Sequence, residues 1–131
     1  MFAYAMLGTN DVARAAQFYD PLMALLGQPR CWTDERGAAW GSFDDPAMPA
    51  LSIQKPFDGQ PATVGNGVML AFRAGTTGLV DSLHAAAMAH GGRDDGLPGP
   101  RPQYGDGFYA AYVRDPDGNK LAFICTAALK A

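Results

Sequence analysis

The sequence is short of everything that would cross-link it, charge it strongly or anchor it in a bilayer. It holds two cysteines in 131 residues, Cys31 and Cys125, far apart and in no CxxC spacing. A disulfide framework is therefore not expected, and both read as buried, reduced thiols in apolar strand-like runs. The only two histidines, His84 and His90, lie on one helix-like stretch. At ~3.6 residues per turn that separation puts them on different faces, so they do not share an ion; both read as surface or helix-end side chains. Ten Lys and Arg stand against 13 Asp and Glu, for a net charge of −3. That balance lacks the basic footprint by which proteins neutralise nucleic-acid phosphates. No run approaches the ~20 apolar residues that span a bilayer, and no charged segment precedes an apolar one at the N-terminus. The expected setting is the cytoplasm, without nucleic-acid or membrane partners.

What the chain does have is apolar material, 48% of residues against 18% charged, enough for a packed interior. It also has an internal repeat. Sliding the sequence by 65 positions lays Ala5-Met6-Leu7 on Leu70-Ala71-Phe72, Ala15 on Val80, Phe18 on Leu83, Met23 on Met88 and Gly27 on Gly92. Both copies read as an apolar strand, a polar turn, an amphipathic helix and a terminating glycine, which is the kind of signal that sets a whole architecture.

In the first copy the strand is expected over residues 2–8. Thr9, Asn10 and Asp11 supply capping oxygens and negative charge to the following helix. Val12, Ala15, Tyr19, Leu22, Met23 and Leu26 recur at helical spacing up to Gly27. Pro21 predicts a kink or break within that helix. Strands are expected over 30–33, 38–43 and 50–54, the first two joined by Asp34-Glu35-Arg36-Gly37, with Gly37 free to take a positive φ. In the second copy the strand covers 67–74, Thr76 or Thr77 caps the helix, and Val80, Leu83, Ala87 and Met88 form its buried stripe. Residues 93–107, with Pro98, Pro100 and Pro102, read as a loop. A hairpin of 108–113 and 120–126 turns at Asp115-Pro116-Asp117-Gly118-Asn119, where proline pre-sets φ and glycine supplies a left-handed step. The reading is one domain, 1–131, in which modules 1–55 and 66–127 are joined by a Pro- and Gly-rich linker, 56–65.

These residues, in this order, resemble the vicinal-oxygen-chelate superfamily of glyoxalases, bleomycin-resistance proteins and extradiol dioxygenases. The carriers are Leu7-Gly8-Thr9-Asn10-Asp11 after the opening strand, Ala16-Gln17-Phe18-Tyr19-Asp20, and residues 67–74. Gly99-Pro100-Arg101-Pro102-Gln103-Tyr104-Gly105 and 108–119 complete them. The resemblance covers essentially the whole chain and implies an α+β fold: two βαβββ modules forming a curved mixed sheet around a central cup, commonly in a homodimer. Metal sites in the family take one His, Gln or Glu from each of four symmetric positions. Carried over, these fall on Tyr4, Ser52, Met69 and Ala122, and the neighbours Ala3, Ala5, Val68, Leu70, Leu121 and Phe123 are all apolar. Such side chains are poor ligands for divalent metals, so neither a metal nor another cofactor is expected.

Tyr4, Trp40, Gln54, Met69, Tyr104, Tyr109 and Tyr112 are candidates to line the cup, or else to fill a core. A buried Tyr4 phenol would need a hydrogen-bond partner. Arg101 and Tyr104 stand on a Gly- and Pro-rich segment able to close over a ligand, and a guanidinium binds carboxylate or phosphate bidentately; a solvated surface arginine is the alternative. The first functional reading is a glyoxalase- or bleomycin-resistance-like protein that binds a small organic molecule, aromatic or anionic, without metal. The alternatives are a lyase- or dioxygenase-type enzyme with an atypical metal site or metal-free acid–base chemistry, and a structural dimer with a filled cavity.

Overall fold

The computed structural model describes residues 1–126; position 127, the expected end of module two, lies outside the described residues. Module one runs β1 (Tyr4–Gly8), α1 (Val12–Leu25), β2 (Arg30–Asp34), β3 (Gly37–Trp40) and β4 (Ala50–Gln54). Module two runs β5 (Leu70–Arg73), α2 (Thr77–Ala89), β6 (Arg93–Pro100), a 3-10 turn (Pro102–Tyr104), β7 (Tyr109–Arg114) and β8 (Lys120–Cys125). The sheets have the orders β1-β4-β3-β2 and β5-β8-β7-β6. In each, the first and last strands pair parallel and the other neighbours antiparallel. The 65-residue repeat is thus one βαβββ unit used twice. The fold is α+β, with two mixed sheets and, among the described residues, no closed barrel.

Local chemistry sets the helix ends. Asp11 accepts from the Arg14 amide at 3.0 Å and Thr76 from the Leu79 amide at 3.1 Å, each satisfying an otherwise free N–H of the first turn. Gly27 takes φ +71° just past α1, where a side chain would be strained. The helix continues through Pro21 instead of breaking there. Phe18, Tyr19, Leu22 and Met23, on either side of the proline, are all buried, and their packing outweighs the one lost hydrogen bond.

The repeat pairs Ala15 with Val80 and Phe18 with Leu83, and all four are in the core. One face of each sheet supplies the rest: Trp40, Leu51 and Ile53 from sheet one, Val113, Leu121 and Phe123 from sheet two. Both helices and both inner faces form a single apolar cluster. The opposite face of each sheet is open.

At one end a polar clasp ties the modules together. The β7–β8 turn reaches the end of β1: Asp117 accepts from the Thr9 hydroxyl at 2.5 Å, the Asn10 amide at 2.9 Å and the Arg14 guanidinium at 2.8 Å. Asn119 Nδ2 donates to the Gly8 carbonyl at 2.9 Å, and the buried Tyr19 hydroxyl donates to Asp115 at 2.5 Å.

Several expectations need correction. The segment expected as a loop, 93–107, contains strand β6, paired with β7. Register shifts between Asp94 and Gly96 and between Gly96 and Gly99 absorb the irregularity, and β6 is an edge strand, where proline's missing N–H costs no ladder bond. Gly37 is not in a positive-φ conformation; it is glycine-sized for a different reason, since a Cβ there would meet the Ile53 carbonyl at 2.4 Å. Cys31 is exposed, because β2 is the outer strand of sheet one; Cys125 is buried. His84 is buried, not a surface side chain, and its Nε2 lies 2.8 Å from Asp94 Oδ1.

Candidate ligand pocket

Strand alternation decides which side chains of module two face the open side. On β7, Ala111 and Val113 go to the core, so Tyr112 faces out; on β8, Leu121, Phe123 and Cys125 go to the core, so Lys120 and Ile124 face out. The β6–β7 segment folds over this face. Together they line an open-sided cavity of about 630 Å³, in the range of small-molecule sites, whose walls include Met69, Arg101, Tyr104, Tyr112, Lys120 and Asp95.

Tyr112 is the centre of the pocket. Its ring packs on the backbone of Gly96, where a Cβ would meet Tyr112 Cδ2 at 2.8 Å. The Arg101 guanidinium lies 5.5 Å and the Lys120 ammonium 5.4 Å from the ring centroid. Both cations are thereby held against an aromatic ring by cation–π attraction. Tyr104 and Phe108 add an edge-on aromatic pair, with centroids 5.5 Å apart.

Arg101 is partly engaged by its own loop. Nη1 donates to the carbonyls of Gly99 at 2.8 Å and Pro100 at 3.3 Å, and Nη2 to that of Leu97 at 2.7 Å. Of five guanidinium N–H groups this leaves about two for a ligand. Asp95 is the negative member, 3.6 Å from Lys120 but also 3.1 Å from Arg114 Nε, so its charge is shared outside the pocket. The pocket is locally positive in a chain of net charge −3.

Of the eight side chains expected at the cup, Met69, Arg101, Tyr104 and Tyr112 converge on this cavity. Trp40 does not: it is buried in the core, on the helix side of β3, where its indole N–H donates to Asp20 at 2.8 Å. Tyr109 also faces the helices, its hydroxyl donating to Asp81 on α2 at 2.7 Å. That bond to a carboxylate, with burial adding to it, raises the Tyr109 pKa above the usual phenol value. Tyr4 and Gln54 are on the open side of sheet one, outside the cavity. Tyr4 is half-exposed instead of buried, edge-on to Phe43 at 5.5 Å. Lys120 was missed in the sequence; its place next to Tyr112 on the alternation of paired strands was the available signal.

The four symmetric positions do not make a divalent-metal donor set. Ser52 is opposite Met6 and its hydroxyl accepts from Gln54 Nε2 at 2.7 Å. Ala122, opposite Ala71 and Tyr112, has no donor atom. Met69 offers only a soft thioether, and Tyr4 a single phenol. Among the described residues no group of three or more His, Cys, Asp or Glu side chains is gathered as for a metal ion.

Two open mixed sheets from a duplicated βαβββ unit, with a pocket on the open face, define a vicinal-oxygen-chelate architecture. The chain belongs to the Glyoxalase/Bleomycin resistance protein/Dioxygenase superfamily, whose profile matches residues 2–123. It is similar to a glyoxalase/bleomycin resistance protein from Albidiferax ferrireducens, with 38% identity over 95% of this chain and 98% of that one and a TM-score of 0.83. The fold is shared with a glyoxalase-related enzyme from Fulvimarina pelagi, at 20% identity, 94% and 86% coverage and a TM-score of 0.72. It is shared also with a lactoylglutathione lyase from Agrobacterium tumefaciens, at 18% identity, 95% and 92% coverage and a TM-score of 0.63. No curated protein matches the chain.

Proposed function

We propose that this chain binds a small organic anion with an apolar or aromatic body, in the pocket on sheet two and without the family's metal. The carrying observation is the placement of both Arg101 and Lys120 against Tyr112, 5.5 and 5.4 Å from its ring centroid. A carboxylate or phosphate would take the free guanidinium N–H groups and the ammonium, while Met69, Tyr104 and Ile124 receive the apolar part. The test is calorimetric titration with benzoate against benzamide, which share shape but not charge. Benzoate should bind several-fold tighter, and Lys120→Gln should erase the difference; equal binding of the two by the wild type would overturn the anionic reading. Stoichiometric zinc, nickel, iron or manganese in the purified protein would overturn the metal-free part.

The same reading includes a homodimer. Tyr4 and Met6 are 52% and 51% exposed on the open side of sheet one, with half-exposed Phe43 against Tyr4, an apolar face suited to a second copy. Light scattering should give twice the 13.8 kDa chain mass, and Tyr4→Arg should halve it. The two unpaired cysteines support a cytoplasmic setting.

A further inference from the structure

Two acids stand side by side on β6 and are aimed differently. Asp94 pairs with Val113 and Gly96 with Tyr112, so Asp95 between them has no partner in the β6–β7 ladder. That is a bulge, the device by which a strand re-aims one side chain. The Asp94 carboxylate is committed to the helix side. Its Oδ1 lies 2.8 Å from Nε2 of the buried His84 and accepts from the Gly96 amide at 3.1 Å. Asp95 instead lines the pocket on sheet two.

A carboxylate in that wall works against the two cations. Asp95 Oδ2 accepts from Arg114 Nε at 3.1 Å and is 3.6 Å from Lys120 Nζ, so it draws off part of the positive charge an anion would meet. A ligand that was an anion and nothing more would bind better without it. Both of those contacts are at Oδ2. The other oxygen, Oδ1, takes no hydrogen bond from any described residue, and the side chain is 35% exposed, within reach of a bound molecule.

We propose, resting on the anion reading of this pocket, that the carboxylate it takes belongs to an α-amino acid with an apolar or aromatic side chain. The carboxylate meets Lys120 and Arg101, and the ammonium on the neighbouring carbon donates to Asp95 Oδ1. The arrangement matches in scale: Lys120 and Asp95 are adjacent charges 3.6 Å apart, and an amino acid bears its two opposite charges on either side of a single carbon. Met69, Tyr104, Phe108 and Ile124 receive the side chain. The ligand thus brings its own cation to the acid in the wall, and each charge finds an opposite one.

The test is calorimetric titration of the full-length protein with three compounds of one shape. These are L-phenylalanine, 3-phenylpropionate, which lacks only the amine, and phenylalaninamide, which lacks the carboxylate. Phenylalanine should bind about tenfold tighter than either of the others, the gain from one charge-assisted hydrogen bond. Asp95→Ala should then divide the two acids. Freed of a competitor for Lys120, 3-phenylpropionate should bind about twofold to fivefold tighter, while phenylalanine loses its advantage. An acid that served only to pair with Arg114 and Lys120 would let both tighten alike.

Asp95→Asn keeps the shape without the charge and should shrink the preference likewise; melting curves check that both variants fold. Equal wild-type affinities for phenylalanine and 3-phenylpropionate, or a preference that survives both substitutions, would overturn the amino-acid assignment and leave the anion reading standing. Phenylalaninamide binding as tightly as phenylalanine would take the carboxylate out of recognition and overturn both.

Discussion

Thr9 and Asp117 are 108 positions apart, yet the Thr9 hydroxyl donates to the Asp117 carboxylate at 2.5 Å and joins the end of β1 to the β7–β8 turn. The Asp117 side chain is 2% exposed while accepting three hydrogen bonds from module one. Removing it leaves those donors unmatched. Asp117→Ala should destabilise the protein by about 2–4 kcal/mol, more than Thr9→Val at about 1–2 kcal/mol. Urea denaturation at constant m-value measures both; losses below 0.5 kcal/mol (roughly the level of neutral surface changes) would mean the clasp contributes little.

Tyr19 gives a signed pH dependence. Its burial, and then the nearby Asp115 carboxylate, push its pKa well above the phenol value of 10.0. In the unfolded chain the phenol ionises near that ordinary value. The neutral, buried form therefore contributes stability that is fully present below pH 10.0 and declines as pH rises beyond it. Tyr19→Phe should be less stable at neutral pH, having lost its bond to Asp115, but should lose less stability between pH 9 and 11 (roughly a unit either side of a free phenol's pKa). Parallel limbs for the two proteins would contradict this account.

Asp94 works in the opposite direction. Its hydrogen bond from His84 comes first among the causes that hold its pKa below 3.8. Its contribution is present above that value and is lost as pH falls below it. Asp94→Asn should therefore flatten the acid limb of the stability curve without changing the alkaline limb. Thermal melts across the acid range would show it.

The two thiols should separate by reactivity. Cys31 is exposed on an outer strand and Cys125 is 1% exposed in the core. In native conditions a maleimide should label one equivalent rapidly, at Cys31 by peptide mapping. Labelling of Cys125 should wait for unfolding, at a rate set by the opening equilibrium.

In the pocket, Tyr112→Leu should weaken benzoate binding by about fivefold to thirtyfold, through loss of the ring that holds both cations, each cation–π contact being worth ~0.5–2 kcal/mol. Tyr109→Phe should leave binding unchanged, since its hydroxyl faces α2. Equal losses from the two substitutions would place the ligand elsewhere.

Local, periodic features were legible without coordinates. The 65-residue repeat, the capping side chains within 9–11 and 76–77 and the turn at 115–119 depend on backbone preferences and side-chain period, and these act within a few residues. They determined a strand–helix module used twice; the four symmetric places that hold Tyr4, Ser52, Met69 and Ala122 came from the family resemblance. The tertiary structure alone decided what depends on neighbours distant in the chain. Trp40 went to the core because β3 turns that face toward α1, and the proline-bearing β6 became a strand because β7 lay beside it to pair with. Cys31 came out exposed because β2 ended up as an edge. Lys120 and Arg101, 19 residues apart, met over Tyr112 only once β6, β7 and β8 were in register. A side chain's period fixes which face it can take; which face becomes interior is set by what packs against it, and that is a property of the whole fold.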